Sequence, residues 1–219
     1  MAELQRDGAT RLSGAATAAL PLLVTLADGE LPKRPGVRLR GQGWAGALDG
    51  ETGIASVARA VLPGARAVRA LLFDKSAETN WVLGWHQDRV IAVRGRHEIP
   101  GYGPWTVKRG IAHVQPPIGI LEGMITVRIH IDRVDAENAP LLVALGSHRR
   151  GRIAEDDIEE IVAAHARRVC LAEAGDMWVY STPILHASER ATRPGRRRVV
   201  QVDYAANALP PGLDWIGVA

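Results

Sequence analysis

Hydrophobic and polar positions alternate with a period of two through much of the chain. The strictest run is Gly123 to Asp132, where Ile125, Val127, Ile129 and Ile131 fall on one face and Thr126, Arg128, His130 and Asp132 on the other. That is the pattern of a strand with one face on a core. Further strand-like runs are Ala67 to Phe73, Trp81 to Val93, Leu141 to Leu145, Val169 to Ala172, Met177 to Tyr180, Ile184 to His186 and Arg197 to Tyr204. Turn signals such as Ala174-Gly175-Asp176 and Ser181-Thr182-Pro183 separate the later ones. Many short strands with such punctuation predict a jelly roll.

Helical spacing lies mostly outside these runs. Leu12 to Asp28 predicts a helix with Ser13 as candidate cap, Pro21 either kinking it or resetting its first turn, and Gly29 closing it. Leu31 to Gly50, rich in Gly, Pro and Arg, reads as loop or irregular strand. Thr52 to Leu62 places Ile54, Val57, Ala58 and Val61 at helical spacing before Pro63-Gly64 ends it, and Glu155 to His165 does the same with Ile158, Ile161 and Val162. The expected architecture is mainly β with flanking helices: a cupin-like double-stranded β-helix in a single domain over 1–219. Residues 1–65 would form a helical N-terminal flank and 66–206 the core.

Two stretches depart from simple patterning. Gly95 to Pro117 has four glycines, four prolines and the aromatics Tyr102 and Trp105. So long a connection without periodicity is more often functional than incidental, and 95–117 reads as a lid, the bland alternative being a packed surface loop. Within it Trp105 and Gln115 are candidate substrate contacts. The polar face of Gly123 to Asp132 is either wet or, on an inner strand, lines a cavity. In the second case Thr126, Arg128 and His130 face a ligand.

Composition narrows the partners. A chain of 219 residues with 47% hydrophobic and 23% charged residues has enough apolar material for one full core. Its single cysteine, Cys170, excludes an intrachain disulfide and fits a reducing compartment. No stretch approaches 18 apolar residues, and Met1 to Arg11 has no signal-like apolar segment, so a cytoplasmic protein without a membrane partner is expected. The net charge of +3 concentrates in His148 to Arg152 and in Arg193 with Arg196 to Arg198. Aromatic residues do not alternate with these as a base-stacking groove requires, so the partner expected is a small molecule, not nucleic acid. No pattern specifies an oligomeric state.

The chemistry centres on Trp85-His86-Gln87-Asp88. On a strand His86 and Asp88 leave the same face, roughly 6.5 to 7 Å apart at Cα. With one more imidazole they would complete a 2-His-1-carboxylate triad, which holds Fe(II) by one face and leaves the other open. His186 is the candidate third ligand.

Ser188 follows His186 by two residues and Arg197 by eleven; between the two histidines lie Asp135 to Leu141 and Gly146-Ser147-His148. In this order and spacing, from about Leu71 to Tyr204, the chain resembles the phytanoyl-CoA dioxygenase-like family of Fe(II)/2-oxoglutarate oxygenases. The resemblance implies Fe(II) on His86, Asp88 and His186, with 2-oxoglutarate and O2 as co-substrates. It implies Arg197 on the distal carboxylate of 2-oxoglutarate, with Ser188 donating a further hydrogen bond. Lys75 is either a co-substrate contact or a solvated lysine at a strand end. Alternation of Val200, Val202 and Tyr204 would favour Arg198, so Arg198 stays as the fallback. Arg128 stands where the family often carries a tryptophan, which suggests an acidic group on the ligand or a differently held 2-oxoglutarate. The implied reaction is hydroxylation of a small polar metabolite, acidic ones included, with release of succinate and CO2. Asp88, in place of a glycine or alanine, favours hydroxylation over halogenation. The alternative is a non-catalytic, cupin-like binding module, for which Arg128 and Ala139, at the family's turn glycine, are the departures.

Overall fold

The computed structural model describes residues 2–30, 36–51, 53–78, 80–193 and 195–219. In chain order the strands are β1 (Ala9–Leu12), β2 (Val37–Arg38), β3 (Arg66–Lys75), β4 (Leu83–His86), β5 (Ile91–Val93), β6 (Trp105–Lys108) and β7 (Ile111–Val114), followed by β8 (Met124–His130), β9 (Leu141–Ala144), β10 (Arg167–Cys170), β11 (Met177–Ser181), β12 (His186–Ser188) and β13 (Arg197–Ala205). A six-stranded sheet, ordered β1-β11-β8-β13-β3-β2, faces a four-stranded sheet, β10-β9-β12-β4. Together they make the jelly roll. A small third sheet, β5-β7-β6, stands beside them.

The two faces of the large sheet go to different places, and the sequence alternation says which. The short helix α1 (Ala2–Asp7) leads into β1, and Ile125, Val127, Ile129, Val200, Val202 and Tyr204 pack outward against α2 (Leu20–Asp28), α3 (Gln42–Asp49) and α4 (Ile54–Val61), through Leu23, Ala27, Trp44, Leu48, Ile54 and Ala58. The opposite face therefore points into the barrel. There the strand register sets Arg128 opposite Gln201, Thr126 opposite Asp203, Asp203 opposite Arg69 and Arg197 opposite Lys75. All of these are buried except Arg69, which is largely so.

Three local expectations are corrected. The predicted helix from Leu12 begins only at Leu20, because Ala9 to Leu12 pairs with β11 as an edge strand of the large sheet. Ser13 caps nothing, and Pro21 sits in the first turn of α2, where it lacks no needed donor. The N-terminal flank is thus part sheet. Of the stretch read as loop, 31–35 lies outside the described residues, but Gln42–Asp49 is helical despite Gly43 and Gly46. Two glycines cost a helix about 2 kcal/mol, whereas burying Trp44 and Leu48 contributes about 1.5–3 kcal/mol each. Packing overrides propensity there. The helix predicted from Thr52 runs Ile54–Val61, Thr52 itself lying outside the described residues. Lastly, 95–117 contains the β6–β7 hairpin, which pairs with β5 and packs on Ile91, Val93, Leu121 and Leu213.

Among the described residues no helix is long and apolar enough to cross a membrane. Most arginines of the two clusters are engaged within the chain. Arg149 donates to the carbonyls of Gln5 and Arg6, Arg152 to that of Pro116, Arg193 pairs with Glu137, Arg196 with Asp28, and Arg198 with Asp132 and Asp28.

Candidate active site

His86 ends β4 and His186 opens β12, and the two are direct cross-strand partners. Their rings lie 4.2 Å apart at the centroids. Each places Nδ1 on the carbonyl two residues before it, His86 on Gly84 at 2.8 Å and His186 on Ile184 at 3.0 Å. A proton held at Nδ1 by those carbonyls leaves the lone pair on Nε2, the state a metal ligand needs. Burial, and then the neighbouring His86, push His186 below its ordinary pKa, which keeps that ring neutral.

Asp88 follows after one residue, and that residue is the fastener. Gln87 is buried; its amide donates to the carbonyls of Gly151 and Pro183, both at 2.8 Å, and its oxygen accepts from the Ile153 backbone N–H. With Gln87 turned into the wall, His86 and Asp88 are left on the cavity side. Ligand atoms of His86, Asp88 and His186 all lie within 4.8 Å of one another, close enough for one ion. Burial would raise the Asp88 carboxyl, but the charge of Arg69, then those of the histidines, outweigh it and hold the pKa below the usual carboxylate range.

The triad borders a cavity of about 130 Å³ that also has Lys75, Arg128, Ser188 and Arg197 in its lining. Arg197, not Arg198, belongs to it. Alternation does put Arg198 with Val200 and Val202, but theirs is the helix-packed face, where Arg198 pairs with Asp132. Arg197 donates to the Ala139 carbonyl, and Ser188 Oγ lies 3.3 Å from the same oxygen. Ala139 has φ +51°, the left-handed conformation in which glycine is at ease. The departure from glycine therefore leaves the turn intact. Lys75 is buried, donating to the carbonyls of Trp81 and Glu189 and, at 3.4 Å, to Ser188 Oγ, so it is not a solvated strand end. Arg128 lies over the Phe73 ring and donates to Gln201 Oε1 at 3.1 Å.

Several polar atoms here have no hydrogen-bond partner among the described residues: Arg128 Nε, Arg197 Nε and Asp88 Oδ2. Buried groups of this kind are paired as a rule, so the free guanidinium donors are what a bound dianion would satisfy, while the donor atoms of His86, Asp88 and His186, within 4.8 Å of one another, suit a cation. The residues fit the two groups.

The remaining expectations fall away from the cavity. Thr126 faces inward but is taken up by Asp203 and Thr182, both at 3.1 Å. His130 is buried and pushed down to about 3 by burial and by Arg128 and Arg197, and it is not in the lining. Trp105 packs with the β5–β7 cluster and Gln115 holds the Gly103–Pro104 turn through its backbone. No residue of 95–117 borders the cavity, since hairpin formation ties that segment to β5. The sequence reading missed what does line it: Arg69, Leu71, Phe73, Trp81, Leu83 and Leu141. Inward alternation on β3 was the available signal for the first three.

Lys75 gives the site a pH dependence. Burial, then Arg197, Arg128 and Arg190, lower it to about 8. The cation is present below that pH and lost above it, and a bound carboxylate favours the cation. Affinity for 2-oxoglutarate should fall as pH rises from 7 to 9, by up to about tenfold per unit above 8. Lys75→Met should flatten the profile in an anaerobic Fe(II) titration.

Two histidines and a carboxylate meeting inside a jelly roll are the donor set of the mononuclear non-haem iron oxygenases. The chain belongs to the phytanoyl-CoA dioxygenase family, whose profile, Phytanoyl-CoA dioxygenase (PhyH), matches residues 43–199. It is accordingly an Fe(II)- and 2-oxoglutarate-dependent oxygenase that uses O2. Solved structures share the fold. EctD from S. alaskensis with bound Fe aligns with a TM-score of 0.66 at 18% identity, over 95% of this chain and 77% of that one. The α-ketoglutarate-dependent epimerase SnoN from nogalamycin biosynthesis gives 0.68 at 15%, over 96% and 84%. HygX from Streptomyces hygroscopicus, with nickel, 2-oxoglutarate and hygromycin B bound, gives 0.60 at 12%, over 92% and 84%. No curated protein sequence matches the chain.

Proposed function

We propose that this chain is a single-domain cytoplasmic hydroxylase of a small organic acid, releasing succinate and CO2, with Fe(II) on His86, Asp88 and His186. When bound, the iron supplies oxygen activation coupled to decarboxylation of the 2-oxo acid. The protein's own part is orientation. Gln87 and the two carbonyls aim the ligands. Arg197, with Ser188 and Lys75, takes the distal carboxylate of 2-oxoglutarate, where a guanidinium offers the two-pronged contact that an ammonium cannot.

The substrate class is carried by one observation: Lys75, Arg128 and Arg197 line one cavity, and no carboxylate hydrogen-bonds or pairs with any of them among the described residues. Only one carboxylate of 2-oxoglutarate is left over once the other is on the metal. Arg128 is then the group for a second acid, that of the substrate. Leu71, Phe73, Trp81 and Leu83 give its carbon skeleton an apolar wall and keep water off the reacting carbon.

The first test adds Fe(II) and then 2-oxoglutarate without oxygen. A lilac charge-transfer band is expected, absent in His186→Ala; iron binding without the band would sink the reading. Succinate release is then followed with small carboxylic acids and with their amides. The acids should stimulate it, and stimulation by the amides alone would remove the acid assignment.

A further inference from the structure

Arg69 is the buried charge that this reading leaves without a task. It sits on the inner face of β3, opposite Asp203 on β13. Its Nε donates to Asp203 Oδ2, and its Nη2 points to Asp88 Oδ2 at 3.8 Å. Asp203 is itself held from the other side: Thr126 Oγ1 donates to Oδ1 at 3.1 Å, and Thr182 Oγ1 lies 3.1 Å from the Thr126 hydroxyl. The result is a buried chain, Thr182–Thr126–Asp203–Arg69, that ends at a candidate metal ligand. Asp88 Oδ2 has no hydrogen bond of its own.

We propose that Arg69 is a positioning residue that claims Asp88 Oδ2, so that Asp88 meets the metal through Oδ1 alone. This rests on the triad assigned above. A carboxylate has two equivalent oxygens and binds a metal through one or both. If Asp88 chelated through both, it would occupy a position that the co-substrate or O2 requires. A guanidinium fixed on one oxygen prevents that, and closing from 3.8 Å to hydrogen-bond distance needs only a small shift. Asp203 is what makes Arg69 suitable. It neutralises the buried guanidinium and anchors it by Nε, leaving the Nη2 edge aimed at Asp88. The alternative is an ion pair that merely joins β3 to β13, and that role has no reason to face the triad.

The experiment is Co(II) titration followed by visible absorption, whose intensity reports coordination number, together with thermal melting of the metal-free protein. Arg69→Met strands Asp203 and is expected to melt lower. Arg69→Met with Asp203→Asn removes both charges and should recover much of that loss. Arg69→Lys keeps the bond to Asp203 but is too narrow to hold both carboxylates. In the double variant and in Arg69→Lys, Co(II) should bind about 10- to 100-fold more weakly, the usual effect of losing a ligand's outer partner, with an altered spectrum. Wild-type affinity and spectrum in either folded variant overturn the proposal and leave the triad standing. Wild-type protein that binds no Co(II) overturns the triad, and the role of Arg69 with it.

Discussion

Arg197→Ala should weaken 2-oxoglutarate binding by about 2–5 kcal/mol, roughly thirty- to several-thousand-fold in dissociation constant. The basis is the burial of the guanidinium in a cavity where it donates to one backbone carbonyl and, among the described residues, pairs with no carboxylate. A bound dianion is its natural counter-charge, and in a water-poor site that contact is worth far more than an exposed ion pair. Arg197→Lys should recover only part of the loss, because an ammonium keeps the charge and loses the two-pronged geometry. Arg198→Ala is the control. It removes the pair with Asp132 on the far side of the same strand and should shift the melting temperature without changing co-substrate affinity. Equal losses from the two alanine variants would mean that Arg197 acts through the sheet and not through the ligand.

Asp88→Ala should abolish turnover to the assay background and weaken iron binding by more than the 10- to 100-fold expected for an outer partner. It removes the triad's only anion. Two imidazoles remain, and Arg69 then faces the candidate metal position with Asp203 as its only ion-pair partner among the described residues. Stability should respond differently. Asp88 accepts no hydrogen bond at Oδ2, but against burial Arg69 holds its carboxyl below the usual range, so its ionised form adds to stability and the metal-free variant is expected to melt modestly below wild type. Full hydroxylation by this variant would remove the triad assignment.

That His86, Asp88, His186, Ser188 and Arg197 meet at one cavity was legible because their grouping rests on local spacing. His86 and Asp88 are two residues apart, and Ser188 and Arg197 stand at fixed offsets from His186. The choice between Arg197 and Arg198 was not settled by alternation, because β13 is buried on both faces, one against helices and one toward the cavity. Pairing with β3 and β8 is what separates them. Arg69 was illegible for a similar reason: in Arg66-Ala67-Val68-Arg69 it looks like any solvated strand residue, and Asp203 is far away in sequence. The helix at Gln42–Asp49 hid behind its glycines, and the β6–β7 hairpin behind the prolines that flank it. The substrate contacts expected at Gln115 and Trp105 failed with the lid, since composition shows that a segment is irregular but not what it covers.

The strand order also bears on when the protein can become itself. In the large sheet, β3 finds β13 as its neighbour, β1 finds β11, and β8 sits between β11 and β13. Nearly every partner is distant in sequence, and the strand that joins β3 to β8 is β13, at Arg197–Ala205. Such non-local pairing makes for slow folding, because loop-closure entropy is spent before contacts offset it. A nascent chain that has reached only Ser188 would have all three candidate ligands but no strand to bridge the halves of the sheet. Its long β8 and β3 edges would be open to other chains. Premature termination there should yield aggregates that bind no iron rather than a weakened enzyme.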